Sequence, residues 1–142
     1  SDRATWLFKV QRDGLQLAKA PEEMRACKQV VLAAVEQNGQ ALQYASEPLR
    51  GDRKVALAAV RCDGFAVEHA SETLRNDAEF VRIAVARNGL ALRHAGDGAL
   101  RDFEVVRAAV ANDWRALRHA AGVLQTDPQI MLVAARARHQ EL

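Results

Sequence analysis

Three of the four histidines in this 142-residue chain share one register. His69, His94 and His119 stand 25 residues apart, and Tyr44 and Lys19 continue their column toward the N-terminus. Imidazoles in a row are a natural beginning for a metal site. A zinc ion would need their nitrogens about 2 Å away. The spacing argues against it. Stacked helices lie about 8–10 Å apart, so rings one repeat apart cannot converge on one ion. Each position of the column also stands just before an alanine, in the series Ala20, Ala45, Ala70, Ala95 and Ala120. An amphipathic ring suits the half-buried seam such a helix flank offers. The column is read as packing, and neither a metal nor a cofactor is expected.

Other residues with chemical potential have similarly plain readings. Cys27 opens one helical segment and Cys62 lies near the end of the next. Ten residues of helix place those levels about 15 Å apart, while a disulfide needs Cα atoms within about 7 Å. Two free thiols in a reducing, intracellular compartment, an organelle included, are expected. Asp52, Asp77, Asp102 and Asp127 form a column whose side chains can cap helix N-termini. Arg25, Arg50 and Arg75 form a basic ladder. It is either a solvated edge that bonds helix C-terminal carbonyls or a strip for an acidic partner. No glycine-rich phosphate loop, His-Glu metal motif or nucleophile elbow occurs. We expect no catalytic residue, no small-molecule substrate and no enzyme.

These residues must be placed by a repeated element. The Gly that follows Asn or Asp recurs at Gly14, Gly39, Gly64 and Gly89, and Trp114 takes the fifth position. Apolar columns keep the same step: Val10, Val35, Val60, Val85, Val110, and Leu17, Leu42, Val67, Leu92, Leu117. A fixed period of this length marks a repeat array. Within "DRKVALAAVRCDG", Val55 with Ala59 and Ala56 with Val60 recur at i, i+4, which is helical. The Asp column starts this helix, and Pro128 follows its cap where a missing N–H costs nothing. Glycine is expected to close it through a left-handed backbone. A second helix, with Ala66, Val67 and Ala70 at i, i+3, i+4, stops after about six residues, because Pro21 and Pro48 fall just beyond it. A separate helical turn then carries an apolar anchor at Met24, Leu49, Leu74 and Leu124, slipping to Leu100 in the fourth unit.

The expected fold is all-α: a short right-handed α-solenoid of about five 25-residue helix-turn-helix repeats. Units run over about 3–26, 27–51, 52–76, 77–101 and 102–126, with a final helix at 127–139, all within one domain. Long helices are predicted over 28–37, 53–62, 78–87, 103–112 and 128–138, and short ones from near 40, 65, 90 and 115. A unit this small cannot close a core alone, whereas stacked units can. The alanine column Ala34, Ala59, Ala84, Ala109, Ala134 lets neighbouring helices approach. Composition agrees with a globular chain: 49% hydrophobic, 27% charged and a formal charge of +2. No apolar run approaches the ~20 residues of a membrane span. Charge is even along the chain, without the clustered footprint of a nucleic-acid binder.

"CKQVVLAAVEQNGQALQYASEPLRG" and "DRKVALAAVRCDGFAVEHASETLRN" resemble the repeat family catalogued as domain of unknown function 4116. "DAEFVRIAVARNGLALRHAGDGALR" resembles it well, and "DFEVVRAAVANDWRALRHAAGVLQT" more loosely. The resemblance covers most of the chain. It implies a helical repeat array, no established activity and no catalytic residues, and it leans toward a scaffold.

A non-enzymatic protein–protein interaction or scaffolding module is the expected function, within a larger protein or as a soluble subunit of a large assembly. The opening "SDRATW" lacks Met and is expected to mark a processed or excised piece. Terminal repeats normally need polar caps. Here the first helix carries Trp6 and Phe8, and the last carries Ile130 and Met131. More chain or another subunit is expected to cover them. The candidate partner contacts are Trp6, Phe8, Arg25, Arg50, Arg75, Trp114, Ile130 and Met131. The alternative is modular single-stranded RNA binding, one repeat per base. It is the weaker reading, because the column after the glycine, Leu15, Gln40, Phe65, Leu90 and Arg115, spells no code.

Overall fold

The computed structural model describes residues 2–142, all of them helical or in short connections between helices. Five units each contain a long α-helix, a six-residue 3-10 helix and a four-residue α-helix. The long helices are Asp2–Arg12, Lys28–Gln37, Arg53–Cys62, Ala78–Arg87 and Phe103–Asn112. The 3-10 helices are Gly14–Lys19, Gly39–Tyr44, Gly64–His69, Gly89–His94 and Trp114–His119. The short helices are Glu22–Arg25, Glu47–Arg50, Glu72–Arg75, Asp97–Leu100 and Gly122–Gln125, and a final long helix follows at Pro128–His139. The chain is an all-α repeat solenoid.

The aspartate column does what its position dictates. Asp52, Asp77 and Asp102 accept the backbone N–H of Val55, Phe80 and Val105 at 3.0–3.1 Å. Asp127 accepts those of Gln129 and Ile130. Two caps also tie units together: Lys28 reaches Asp52 at 3.0 Å and Arg53 reaches Asp77 at 3.1 Å. The Asn or Asp before each glycine has a further role. Asp13, Asn38, Asp63 and Asp113 end a long helix and cap the following 3-10 helix, each accepting an N–H two residues on.

The second helix differs from its expected form. It is 3-10, so side chains three apart eclipse one another. Gly64, Val67 and Ala70 therefore form one buried row, and Phe65 and Glu68 point along another, less buried one. An extended backbone at Ala70 (φ −72°, ψ 159°) then separates it from the short helix. The glycines also serve another purpose than expected. No residue of the described chain has positive φ. Gly14, Gly39, Gly64 and Gly89 lie against the carbonyl oxygens of Ala34, Ala59, Ala84 and Ala109 in the next unit, where any Cβ would overlap the oxygen. Glycine here permits close stacking. The anchor of the fourth short helix is likewise Ala99, fully buried in the column of Leu49 and Leu74, while half-buried Leu100 continues the arginine ladder.

Stacking buries Val30, Val55, Phe80, Val105 and Ile130 completely, with Val35, Val60, Val85 and Val110 beside them. Each such side chain contributes about 1.5–3 kcal/mol by leaving water. Backbone bonds link successive short helices: Ser46 to Arg25, Ser71 to Arg50, Gly96 to Arg75 and Ala121 to Leu100. No helix of the described residues is long and apolar enough to cross a membrane.

Candidate functional site at the fifth junction

The histidine column lies half-buried along the 3-10 layer. Burial holds the imidazoles of His69, His94 and His119 below their ordinary range. His69 Nε2 is 3.0 Å from Gln40 Oε1, and His94 Nε2 is 3.7 Å from Glu68. Among the described residues no group of three His, Cys, Asp or Glu side chains is placed to hold a metal ion. Both cysteines are free, half-buried thiols.

The arginine ladder is built into the fold. Arg25 Nε and Arg75 Nε donate to the carbonyls of Ala20 and Ala70, each at 3.2 Å, closing the C-termini of their 3-10 helices. Gln125 takes over this duty in unit five, donating to Ala120 at 2.9 Å. Arg50 Nε is buried without a partner. At the N-terminal end, Trp6 packs half-buried under Lys9, while Phe8 stays 60% exposed with Arg12 over its ring. At the other end Ile130 is fully buried. It belongs to the core rather than to a contact surface, because the final helix packs its first turn against the long helix of unit five. Met131, on the next face, is 51% exposed.

The largest departure from the repeat surrounds Trp114. In four junctions the glycine lets the next helix approach. In the fifth, an indole occupies that position and its ring stays half-buried. Leu117, one 3-10 turn on, is also half-buried, although Leu17, Leu42, Val67 and Leu92 of the same column are fully buried. Trp114 walls two open hollows. One, of about 560 Å³, is lined by Leu90, Trp114, Arg115, Leu117, Arg118 and Gln125. The other, of about 460 Å³, lies between the indole and the final helix, against Ala134, Ala135 and Arg138.

Polar groups hold the indole in place. Its Nε1 donates to Glu141 at 3.0 Å. Arg115 and Arg138 sit 4.9 and 5.0 Å from the ring centroid, a favourable placement for a cation over an aromatic face. Arg115 also pairs with Asp113 and Glu141, each at 3.2 Å. These bonds, Glu141's first, raise its guanidinium above the usual range. Arg118, by contrast, has no carboxylate partner among the described residues; its Nε lies 3.4 Å from His119. The arrangement can hold an apolar group against the indole and leucines and a negative charge at the rim. Sequence reasoning singled out Trp114 and missed Leu90, Leu117, Arg118 and Gln125. The signal lay in unit five, where Gln125 replaces the ladder arginine and residues 114–126 carry two arginines and no carboxylate.

No curated protein and no solved structure matches the chain significantly. A family model does match it twice, over residues 2–50 and 52–98, each match taking in about two of the units described above. The chain therefore belongs to the family described as Domain of unknown function (DUF4116).

Proposed function

We propose that this chain is a non-enzymatic protein-binding module serving a larger assembly. The observation that carries the reading is the fifth junction. An otherwise strict repeat abandons its glycine for tryptophan, and an apolar hollow of about 560 Å³ opens there. Local rules tend to be broken where a protein binds, and Trp is enriched among residues that dominate interfaces. The groups with shifted pKa have structural explanations. Asp52 and Asp77 are caps lowered chiefly by Lys28 and by the N–H of Phe80 respectively, and the histidines are lowered by burial. None forms the paired acid and base that catalysis needs.

Cross-linking of the intact chain in native extract, with and without nuclease, tests this. A protein recovered in fixed ratio, insensitive to nuclease and depleted with Trp114→Ala, supports the reading. Recovery of nucleic acid alone replaces it with single-stranded RNA binding.

A further inference from the structure

We propose that the hollow beside Trp114 seats the apolar side chain of an extended, acidic segment of a partner protein, with carboxylates flanking that anchor paired to Arg93 and Arg118. This rests on the protein-binding reading and assigns its surface and the chemistry of its partner. The floor is apolar: Leu90, Trp114 and Leu117 face the cavity, and its ~560 Å³ is within the range that holds a bound side chain or small ligand. The rim is cationic and unneutralised. Arg93 lies one 3-10 turn beyond Leu90, and Arg118 one turn beyond Arg115, so eclipsing sends both along the row that borders the hollow. Neither has an ion pair among the described residues, although Arg115 beside them has two.

The charge is local to this end of the array. Residues 114–126 carry two arginines and no acid, whereas the equivalent 64–76 carry Glu68, Glu72 and only Arg75. Every earlier short helix has an acid in its first turn, Glu22, Glu47, Glu72 or Asp97, and the fifth has none. A long polyanion laid along the whole solenoid would meet these carboxylates. A short acidic segment confined to units four and five would not. Equivalent positions one repeat apart are about 8–10 Å distant, which about three residues of extended chain span. The favoured motif is thus acidic–apolar–any–acidic, with the apolar residue in the hollow.

Fluorescence polarisation of the full chain against short labelled peptides tests the assignment. The probes carry this motif, the motif with lysines for the acids, or the motif with alanine for an aromatic anchor; single-stranded oligouridylate is a fourth. The acidic aromatic peptide is expected to bind at least about tenfold more tightly than the others, and to weaken with salt. Arg118→Glu, an exposed change that leaves the core intact, is expected to abolish this preference and favour the lysine peptide; Trp114→Ala is expected to reduce binding about tenfold. Equal binding of all peptides, tighter binding of the oligonucleotide, or indifference to Arg118→Glu would overturn it. If the peptides fail while native extract still yields a protein partner insensitive to Trp114→Ala, only the site falls. If no protein partner is recovered, the reading beneath it falls too.

Discussion

Junctions four and five differ mainly at one position. At Gly89 the next helix comes so close that the Ala109 carbonyl lies where a side chain would begin, and the Gly89 N–H is taken by Asn112 at 2.6 Å. At Trp114 the same approach is filled by an indole, and Met131, Ala134 and Ala135, equivalents of buried Val106, Ala109 and Val110, stay partly or fully exposed. One side chain thus separates a joint that is pure packing from one with accessible apolar surface. The repeat's stability rests on the absence of a Cβ, and its candidate site on the presence of a large ring.

The contrast can be broken or sharpened by substitution. Gly89→Val should have the largest effect, about 3 kcal/mol of destabilisation, because the new side chain must displace backbone rather than a movable side chain. An unchanged melting temperature would show that the junction is not closed by glycine. Ala84→Leu, at a fully buried helix contact, should cost about 2 kcal/mol, whereas Ala134→Leu at the open junction should stay within about 0.5 kcal/mol. Equal costs in denaturant titrations would remove the distinction between closed and open joints. Asp102→Ala should cost about 1 kcal/mol by freeing the N–H of Val105, with loss of amide protection in the first turn of 103–112.

The smallest effect concerns pH. Burial places the folded-state pKa of His69, His94 and His119 below the ordinary 6.5. The unfolded chain therefore binds protons first. Their contribution is intact above pH 6.5 and is lost as pH falls through the lowered folded values. His94→Gln should flatten that slope in melts across this window, and an unchanged slope would show that the column does not sense burial. The caps Asp52 and Asp77, lowered from 3.8, act only at still lower pH.

Much of the fold was legible because each long helix announces itself twice, with a capping aspartate and with apolar residues at helical spacing. The second helix was harder. Ala66, Val67 and Ala70 satisfy both an α-helical face and, with Gly64, a three-residue row. Only the paired caps at Asp63 and its equivalents decide for the tighter helix. The glycine column was visible and its reason was not: a left-handed backbone and a close neighbour select the same residue, and only the Ala84 carbonyl against Gly64 distinguishes them. Trp114 stood out as a broken column. Its surroundings did not, since Leu90, Arg118 and Gln125 come from different units, and Glu141 from beyond the repeat.

Hydrogen exchange of the chain with and without its bound partner measures the central claim most directly. The account predicts new protection confined to 89–94, 114–119 and the final helix 128–139, with the long helices 28–37 and 53–62 unchanged. Protection centred on those helices, with 114–119 unaffected, would contradict it.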